Sequence, residues 1–297
     1  MIEYSSSEIT NRSIMMKIAI STESTSDLTK ELIEQNDIKV ISYNVVHNGK
    51  MFKDGEMTTV ELLELSESSG ILPKTTAFNE FEYAEYFESI LEEYDAVIHI
   101  CLSGGITSSC GNAIRAAERL KNVYVVDSLS LSMGSGLLAL YACDLVKQGK
   151  SAKEVYDAVN DRVKSVVTTF VIEKLNYLYK GGRCNSLQLL GANLLKLRPR
   201  INLINGVMQN DKKYRGSMGS VIAKYGKELF EEYNTPSLDR VAISYTTATE
   251  DMVNAAIDAC KNVGFKNIYV TFCGATVASH CGEHTLGIFF INDGDKI

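Results

Sequence analysis

Apolar positions in this chain fall into short runs that end abruptly in segments rich in Ser, Thr and Gly, and these runs alternate with stretches of helical periodicity. Residues 17–21 read as a strand, and Ser24 with Asp27 predicts a capping-box-like start to a helix ending near Gln35. Residues 39–46 alternate as a second strand. Asp54-Gly55 predicts a turn, and Thr58 with Glu61 caps a helix through Leu65 that residues 70–73 terminate. KTTAFN, residues 74–79, reads as a loop before a helix marked by Phe87, Ile90, Leu91 and Tyr94. Residues 97–100 are a buried strand, and an uncharged loop of hydroxyls and glycines then opens into a helix over 113–120. Another strand follows at 122–127. Beyond it, 137–146 predicts an amphipathic helix, and Ser151 with Glu154 caps one ending near Val163.

Strand, loop and helix in this order predict an α/β fold with a mostly parallel, doubly wound sheet, whose ligands sit at the carboxyl ends of the strands. The texture changes near residue 165. SVVTTFVIE resembles a strand, a Gly-Gly break precedes an apolar helix around 187–197, and a strand starts after Pro199. NGVMQNDKKYRG reads as a hairpin with Asn205-Gly206 and Asn210-Asp211 as turn candidates. Residues 240–244, 267–272 and 288–291 are strand-like, with a helix capped by Thr247 and Glu250 between the first two. The expected organisation is a disordered extension over 1–15, an N-terminal α/β domain over 16–165, and a second α/β domain with a mixed sheet over 166–297.

Composition narrows the function classes. A formal net charge of −7 disfavours a generic binder of nucleic acid or anionic membrane. The 7 cysteines include no C-x-x-C pair, so they read as free thiols of a reducing, cytoplasmic setting. No apolar run predicts a membrane span, and the polar start lacks the apolar core of a signal peptide.

Candidate chemistry concentrates in the hydroxyl-rich loops after the strands. Ser103, Thr107, Ser108 and Ser109, with bare backbone at Gly104 and Gly105, offer donors at a helix start, which suits a small acidic or polar head group. Gly134 and Gly136 lack the third glycine of a dinucleotide fingerprint and read as close helix packing. HCGEH, from His280 to His284, matches the H-x-x-E-H spacing of inverted zinc peptidases. Gly282 and the strand-like segment after it argue against the required helix, so a loop with one functional histidine is the better reading, and no metal is expected. His99 lies in an apolar strand and reads as a satisfied core residue. From Lys174 to Lys227 the only acid is Asp211, a local basic bias that suits either a solvated face or the docking of an acidic partner.

These motifs together resemble the DegV family of bacterial fatty-acid-binding proteins, which includes the binding subunits of fatty acid kinase. TESTSDL, KTTAF, CLSGGITSSCGNA, VDSLSLSMGSG, LNYLYKGGR, LLKLRPRINL, Tyr214-Arg215-Gly216 and SHCGEHTLG occur in the family's order. The resemblance implies a two-domain DegV-like fold and one bound long-chain fatty acid, its tail buried and its carboxylate held by loop hydroxyls. Carried over by position, the ligand-binding residues are Thr75, Thr76, Ser103, Gly104, Thr107 and Ser109, with Arg183 and His280 near the head group. It further implies no cofactor and no catalytic residue in this chain. A separate kinase subunit would phosphorylate the bound acid for phospholipid synthesis, docking on Arg198, Arg200 and Arg215.

The chain departs from the family pattern at identifiable positions. Gly104 stands for a second serine, Ser108 for a glycine, Cys110 for an aromatic residue, and Ala77-Phe78 for Gln-Pro. Glu283-His284 replaces Pro-Gly, and Arg200 occupies a usually apolar position. Two alternatives stay open from the residues: an acyl hydrolase or transferase in which His280 activates a loop serine, and a sensor whose partner recognises the lipid-loaded form.

Overall fold

The structure, a computed structural model, describes residues 16–184 and 197–294. The expected N-terminal extension lies outside the described residues, as does the apolar helix around 187–197 except Leu197, which is not helical. With elements numbered along the chain, the first sheet joins β1 (Ile18–Glu23), β2 (Lys39–Ile41), β6 (Ala96–Cys101) and β7 (Val123–Asp127), all parallel, in the order β2-β1-β6-β7. Every residue of β6 is buried, as a parallel strand covered on both faces requires. The order reverses between β1 and β6, so the loops leaving their carboxyl ends diverge and open a crevice.

The expected strand over 39–46 divides in two. Ser24 Oγ accepts the Tyr43 amide at 3.1 Å and the Tyr43 carbonyl accepts the Asp54 amide at 2.8 Å. These bonds take the chain out of the parallel sheet at that point. β3 (Asn44–His47) then joins β4 (Lys50–Lys53) and β5 (Lys74–Thr76) in a small antiparallel sheet, so part of the segment expected as a loop over 74–79 is a strand.

Capping chemistry starts α2 (Thr59–Ser69) at Thr58 with Glu61, α3 (Glu80–Leu91) at Asn79 with Glu82, and α6 (Ala152–Arg162) at Ser151 with Glu154, each a reciprocal capping box. Two expected caps are corrected. α1 (Lys30–Asn36) is capped by Thr29, while Ser24–Ser26 forms a 3-10 turn and Asp27 is left-handed at φ 52° with its carboxylate committed elsewhere. α9 (Glu250–Val263) begins after Thr249, and the Thr247 hydroxyl instead accepts the His284 amide.

The second sheet is mixed and six-stranded, in the order β10-β9-β8-β13-β11-β12. Its members are β8 (Val166–Val171), β9 (Arg198–Ile204), β10 (Val207–Tyr214), β11 (Pro236–Tyr245), β12 (Asn267–Phe272) and β13 (Leu286–Asn292). Alternation along β13 explains its two covered faces: Ile288 and Phe290 meet α9 and α8 (Met218–Glu232), while Phe289 packs with Leu137 of α5 (Met133–Lys147). α5 lies against strands of both sheets, and 11 of its residues are buried, so it is a central helix and not the amphipathic one expected. A Cβ on Gly134 would lie 1.9 Å from Ser130 Oγ, which bears out close packing as the reason for that glycine. Among the described residues no helix is long and apolar enough to cross a membrane.

Asn205 and Gly206, both at positive φ, form the two-residue turn between β9 and β10. Asn210-Asp211 is not a turn. The register shifts there, leaving Asp211 as the extra residue of a bulge, and turn-forming residues suit a bulge equally well. The bulge aims Asp211 at Arg200, whose side chain is fully buried. The guanidinium donates to Asp211 Oδ1 at 2.9 Å and Oδ2 at 2.6 Å, and to Glu232 Oε1 at 3.1 Å and Oε2 at 2.8 Å. Arg200 is therefore a core crosslink between the hairpin and α8, and not the docking residue expected. Truncating it to alanine removes both ion pairs and empties a buried volume, while Glu232 keeps Lys212, so Arg200→Ala is expected to lower stability by about 2–3 kcal/mol in urea unfolding. A loss below about 1 kcal/mol would show the network to be solvated.

Candidate functional site

β1 ends in the buried carboxylate of Glu23, which the chain surrounds with donors. Its Oε2 accepts the Leu102 amide at 2.8 Å, Thr25 Oγ1 at 3.3 Å and the Tyr43 hydroxyl at 3.4 Å, and its Oε1 accepts the Tyr83 hydroxyl. An unpaired buried carboxylate would be expensive, and these bonds offset that cost. They also tie the end of β1 to the first residue beyond β6. Glu23, His99 and Cys101 are the one group of clustered metal-ligating side chains among the described residues. Glu23 is already occupied by donors, and burial keeps the Cys101 thiol far above its ordinary pKa, so the cluster is a hydrogen-bonding core. His99 is buried with Nδ1 2.8 Å from Ser21 Oγ, but its Nε2 has no hydrogen bond, so it is only half satisfied.

The hydroxyl loop after β6 is clamped from the second sheet. Ser103 Oγ donates to the Gly206 carbonyl at the hairpin tip at 2.8 Å and accepts the Gly105 amide at 3.1 Å. The approach is close enough that a Cβ on Gly105 would fall 2.5 Å from the Gly206 oxygen. From the other side comes α10 (Ala275–Cys281), docked by two buried carboxylates. Asp27 Oδ1 accepts the Gly274 amide at 2.8 Å, while Asp54 accepts the amides of Ala275 at 2.7 Å and Thr276 at 3.3 Å.

Between these parts lies a cavity of about 450 Å³. Leu102, Ile106, Leu131, Met208, Val277 and Cys281 supply its apolar lining, and Thr25, Tyr43, Thr75, Thr107, Ser108, Arg183, Thr276 and His280 its polar groups. His280 Nε2 is 2.9 Å from Thr75 Oγ1, while His280 Nδ1 and Thr276 Oγ1 are buried without a hydrogen-bond partner. Burial, followed by the nearby Arg183 charge, pushes His280 down to a pKa of about 4, so its ring is neutral at pH 7. A neutral imidazole and several hydroxyls around apolar walls suit a ligand with one polar end.

Of the residues expected at the site, Thr75, Gly104, Thr107, Arg183 and His280 line the cavity. Thr76, Ser103 and Ser109 do not line it. Thr76 follows Thr75 on β5 and is exposed, since successive strand residues face opposite sides. Ser109 is buried behind the lining and accepts the Phe78 amide at 3.1 Å and the Thr107 hydroxyl at 3.2 Å. Sequence reasoning missed Thr25, Tyr43, Thr276 and Cys281 in the lining, and Glu23, Asp27 and Asp54 behind it. The legible signal was a cluster of acids in TESTSDL and at the Asp54 turn, beside strands that had to be buried.

His280 sits in the last turn of α10, not in a loop, and His284 lies beyond the helix with Nδ1 on Glu173. The two rings thus have separate partners, which removes the zinc-peptidase geometry. No loop serine over 103–109 hydrogen-bonds to His280 among the described residues, so the geometry does not supply the activated serine of a hydrolase. Glu283 pairs with Lys174 at 2.6 Å, and Lys174 also holds Glu67 at 2.6 Å. Acids from outside the basic stretch neutralise much of it: Glu173 takes Arg198 at 2.6 Å, and Glu228 takes Lys212 at 2.9 Å. Lys213 and Arg215 stay exposed.

The DegV family model matches residues 17–293. The protein DegV of Bacillus subtilis is 30% identical over 278 residues, covering 92% of this chain and 98% of that protein. The solved structure of DegV from Bacillus subtilis, described as a fatty acid binding protein, has a TM-score of 0.82 at 28% identity and covers 94% of this chain and 100% of that one. A DegV family protein from Thermus thermophilus, whose structure is described as showing fatty acid binding, has a TM-score of 0.84 at 26% identity, with 93% and 100% covered.

His280 makes a testable contribution to acid stability. Its folded pKa of about 4 lies below the unfolded value of 6.5, so from pH 6.5 downwards the unfolded chain takes up a proton that the folded chain refuses. The stability associated with the neutral ring is fully present above pH 6.5 and is lost towards pH 4, with about 2 kcal/mol gone at pH 5. In urea unfolding at pH 7 and pH 5, wild type should lose about that much more than His280→Gln. Equal losses would mean that the ring is protonated in the fold.

Proposed function

This chain belongs to the DegV family, and on that premise we propose that it is a non-enzymatic carrier that buries the tail of a long-chain fatty acid and presents its carboxylate to a separate kinase. The observation that carries the proposal is the pair of buried, unpartnered polar atoms, His280 Nδ1 and Thr276 Oγ1, on two residues that line the cavity. Such groups are costly when unpaired, and a carboxylate would supply hydrogen bonds to them. Thr75 and Thr107 also line the cavity, and Arg183 supplies the cation in the lining.

Affinity and orientation come from different parts of the ligand. Burial of a methylene contributes about 0.8 kcal/mol, so a tail of about sixteen carbons supplies on the order of 12 kcal/mol before ordering costs. Head-group bonds then fix which end lies at the polar wall. The exposed cations Lys213 and Arg215 are the surface we assign to the kinase, in place of the buried Arg200 and the paired Arg198. In this reading the transfer of phosphate to form an acyl phosphate belongs to that partner, and this chain supplies no residue to the chemistry.

Extraction of protein purified from a bacterial host, with mass spectrometry of the released lipid, should find close to one fatty acid per chain. His280→Ala should weaken fatty-acid affinity by about 10- to 100-fold, as the loss of a hydrogen bond to a charged group predicts. No lipid, even after incubation with a mixed fatty-acid panel, would end the carrier reading. Separately, Arg215→Glu should slow kinase-dependent phosphorylation of the bound acid while leaving lipid content intact, and an unchanged rate would remove this surface from the docking site.

A further inference from the structure

A second cavity, of about 310 Å³, adjoins the first. It shares Gly105, Ile106, Arg183 and Met208 with the ligand cavity, while Gly182 and Gln209 belong to it alone. The two meet at the end where His280 stands. Gly181, the last residue of α7 (Leu175–Gly181), abuts that ring: a Cβ there would fall 2.7 Å from His280 Nδ1, so bare backbone is what leaves the nitrogen open. Gly182 and Arg183 follow directly, and both line the second cavity.

The charges and donors around this space favour an anion. Among the described residues no Asp or Glu lines either cavity. Arg183 is exposed and donates from Nη1 to the Gly181 carbonyl at 2.5 Å, and it makes no ion pair among the described residues, which leaves its other N–H groups for a ligand. Gln209 on β10 is also exposed, and its side-chain amide has no hydrogen-bond partner among the described residues. The amides of Gly105 and Gly182 are already taken, by Ser103 Oγ at 3.1 Å and the Tyr179 carbonyl at 3.2 Å, so the two side chains carry the donors.

We propose that the second cavity is the subsite for the phosphoryl group of an acyl phosphate, with Arg183 bridging the carboxyl and phosphoryl ends and Gln209 as a further donor. The proposal rests on the carrier reading and adds to it the place where the new group of the product is held. The covalent geometry of the ligand sets the assignment. In an acyl phosphate the phosphorus is bonded to a carboxyl oxygen, so with the carboxyl at His280 and Thr276 the phosphoryl group has to occupy space that opens beside them. A guanidinium that lines both cavities can hold oxygens of both groups in its planar fork. The subsite also lies against β10, an edge strand of the second sheet. Lys213 stands four residues beyond Gln209 on that strand, about 13 Å of extended chain, so a partner docked on Lys213 and Arg215 has the subsite within reach.

The test uses palmitate and palmitoylmethylphosphonate, in which CH₂ replaces the bridging oxygen of palmitoyl phosphate and blocks hydrolysis. Each displaces a fluorescent fatty acid from wild type, Gln209→Leu and Gln209→Glu at neutral pH. Gln209 is exposed and lies outside the lining of the fatty-acid cavity, so neither substitution disturbs a packed contact. The phosphonate should bind wild type; Gln209→Leu should weaken it about threefold to tenfold and Gln209→Glu, which adds a like charge, about tenfold or more, with palmitate changed less than about twofold. A phosphonate weakened by neither variant, or only as much as palmitate, would overturn the subsite and leave the carrier reading standing. Binding of palmitate without binding of the phosphonate would do the same. If neither ligand bound, the carrier reading would fall and the subsite with it.

Discussion

A carboxylate removed from water must receive its hydrogen bonds from the chain, and in this protein that requirement assembles the site. Glu23 draws the Leu102 amide, Thr25 and two tyrosine hydroxyls around the end of β1. Four residues later Asp27 draws the Gly274 amide, and Asp54 the next two. Most of these donors come from the end of β6, from α3 and from α10, elements remote in sequence. Each carboxylate therefore exchanges a desolvation cost for a fixed position of a distant segment. The cavity is the space left between segments fixed in this way.

The second sheet contributes by closing that space. Its hairpin tip at Asn205-Gly206 reaches the hydroxyl loop and takes the Ser103 hydroxyl, which is consequently a tie between the two sheets and is not left facing a ligand. α5 fills the layer between the sheets with residues buried on nearly every side. Both contacts make the relative placement of the sheets a property of packed side chains, which have few alternative arrangements at interior density. A cavity bounded by both sheets inherits that definition.

Much of the fold was legible because local chemistry and tertiary structure agree. The capping boxes at Thr58 and Ser151, the Asn205-Gly206 turn and the buried run ending at Ile100 need no information from beyond their own neighbourhoods. Failures occurred where a polar side chain serves a distant partner. Asp27 was read as a cap because its spacing from Ser24 allows it, yet its carboxylate belongs to Gly274. Asp211 was read as a turn and belongs to Arg200. Arg200 and Arg198 were read as surface because charge is usually solvated, and their acids lie outside the window in which the basic bias was counted or, for Asp211, on a bulge. At the site, Thr75 and His280 could be placed by resemblance. Tyr43 and Thr276 could not, because their contribution depends on how β3 and α10 dock.

The residues that the resemblance sets apart, Phe78, Gly104, Cys110, Glu283 and His284, each have partners in the structure. Phe78 fills a pocket of rings, with centroids 4.6 Å from Tyr43 and 5.3 Å from Tyr83, and its amide and carbonyl are taken by Ser109 and Asn112. Gly104 presents its amide to Asp127 at 3.1 Å, and a Cβ there would fall 2.8 Å from that carboxylate, so a serine in this loop would require Asp127 to move. Cys110 is buried with Cys101 in the same aromatic core, where a thiol behaves as a small hydrophobe. Glu283 and His284 arrive together with Lys174 and Glu173 as their partners, which draws both side chains into ion pairs and hydrogen bonds outside the cavity lining. The extra acid three residues beyond His280 is thus turned to Lys174, which it shares with Glu67, and not to the cavity. Within the lining, Ser108 offers a hydroxyl in the same loop in which Gly104 offers none.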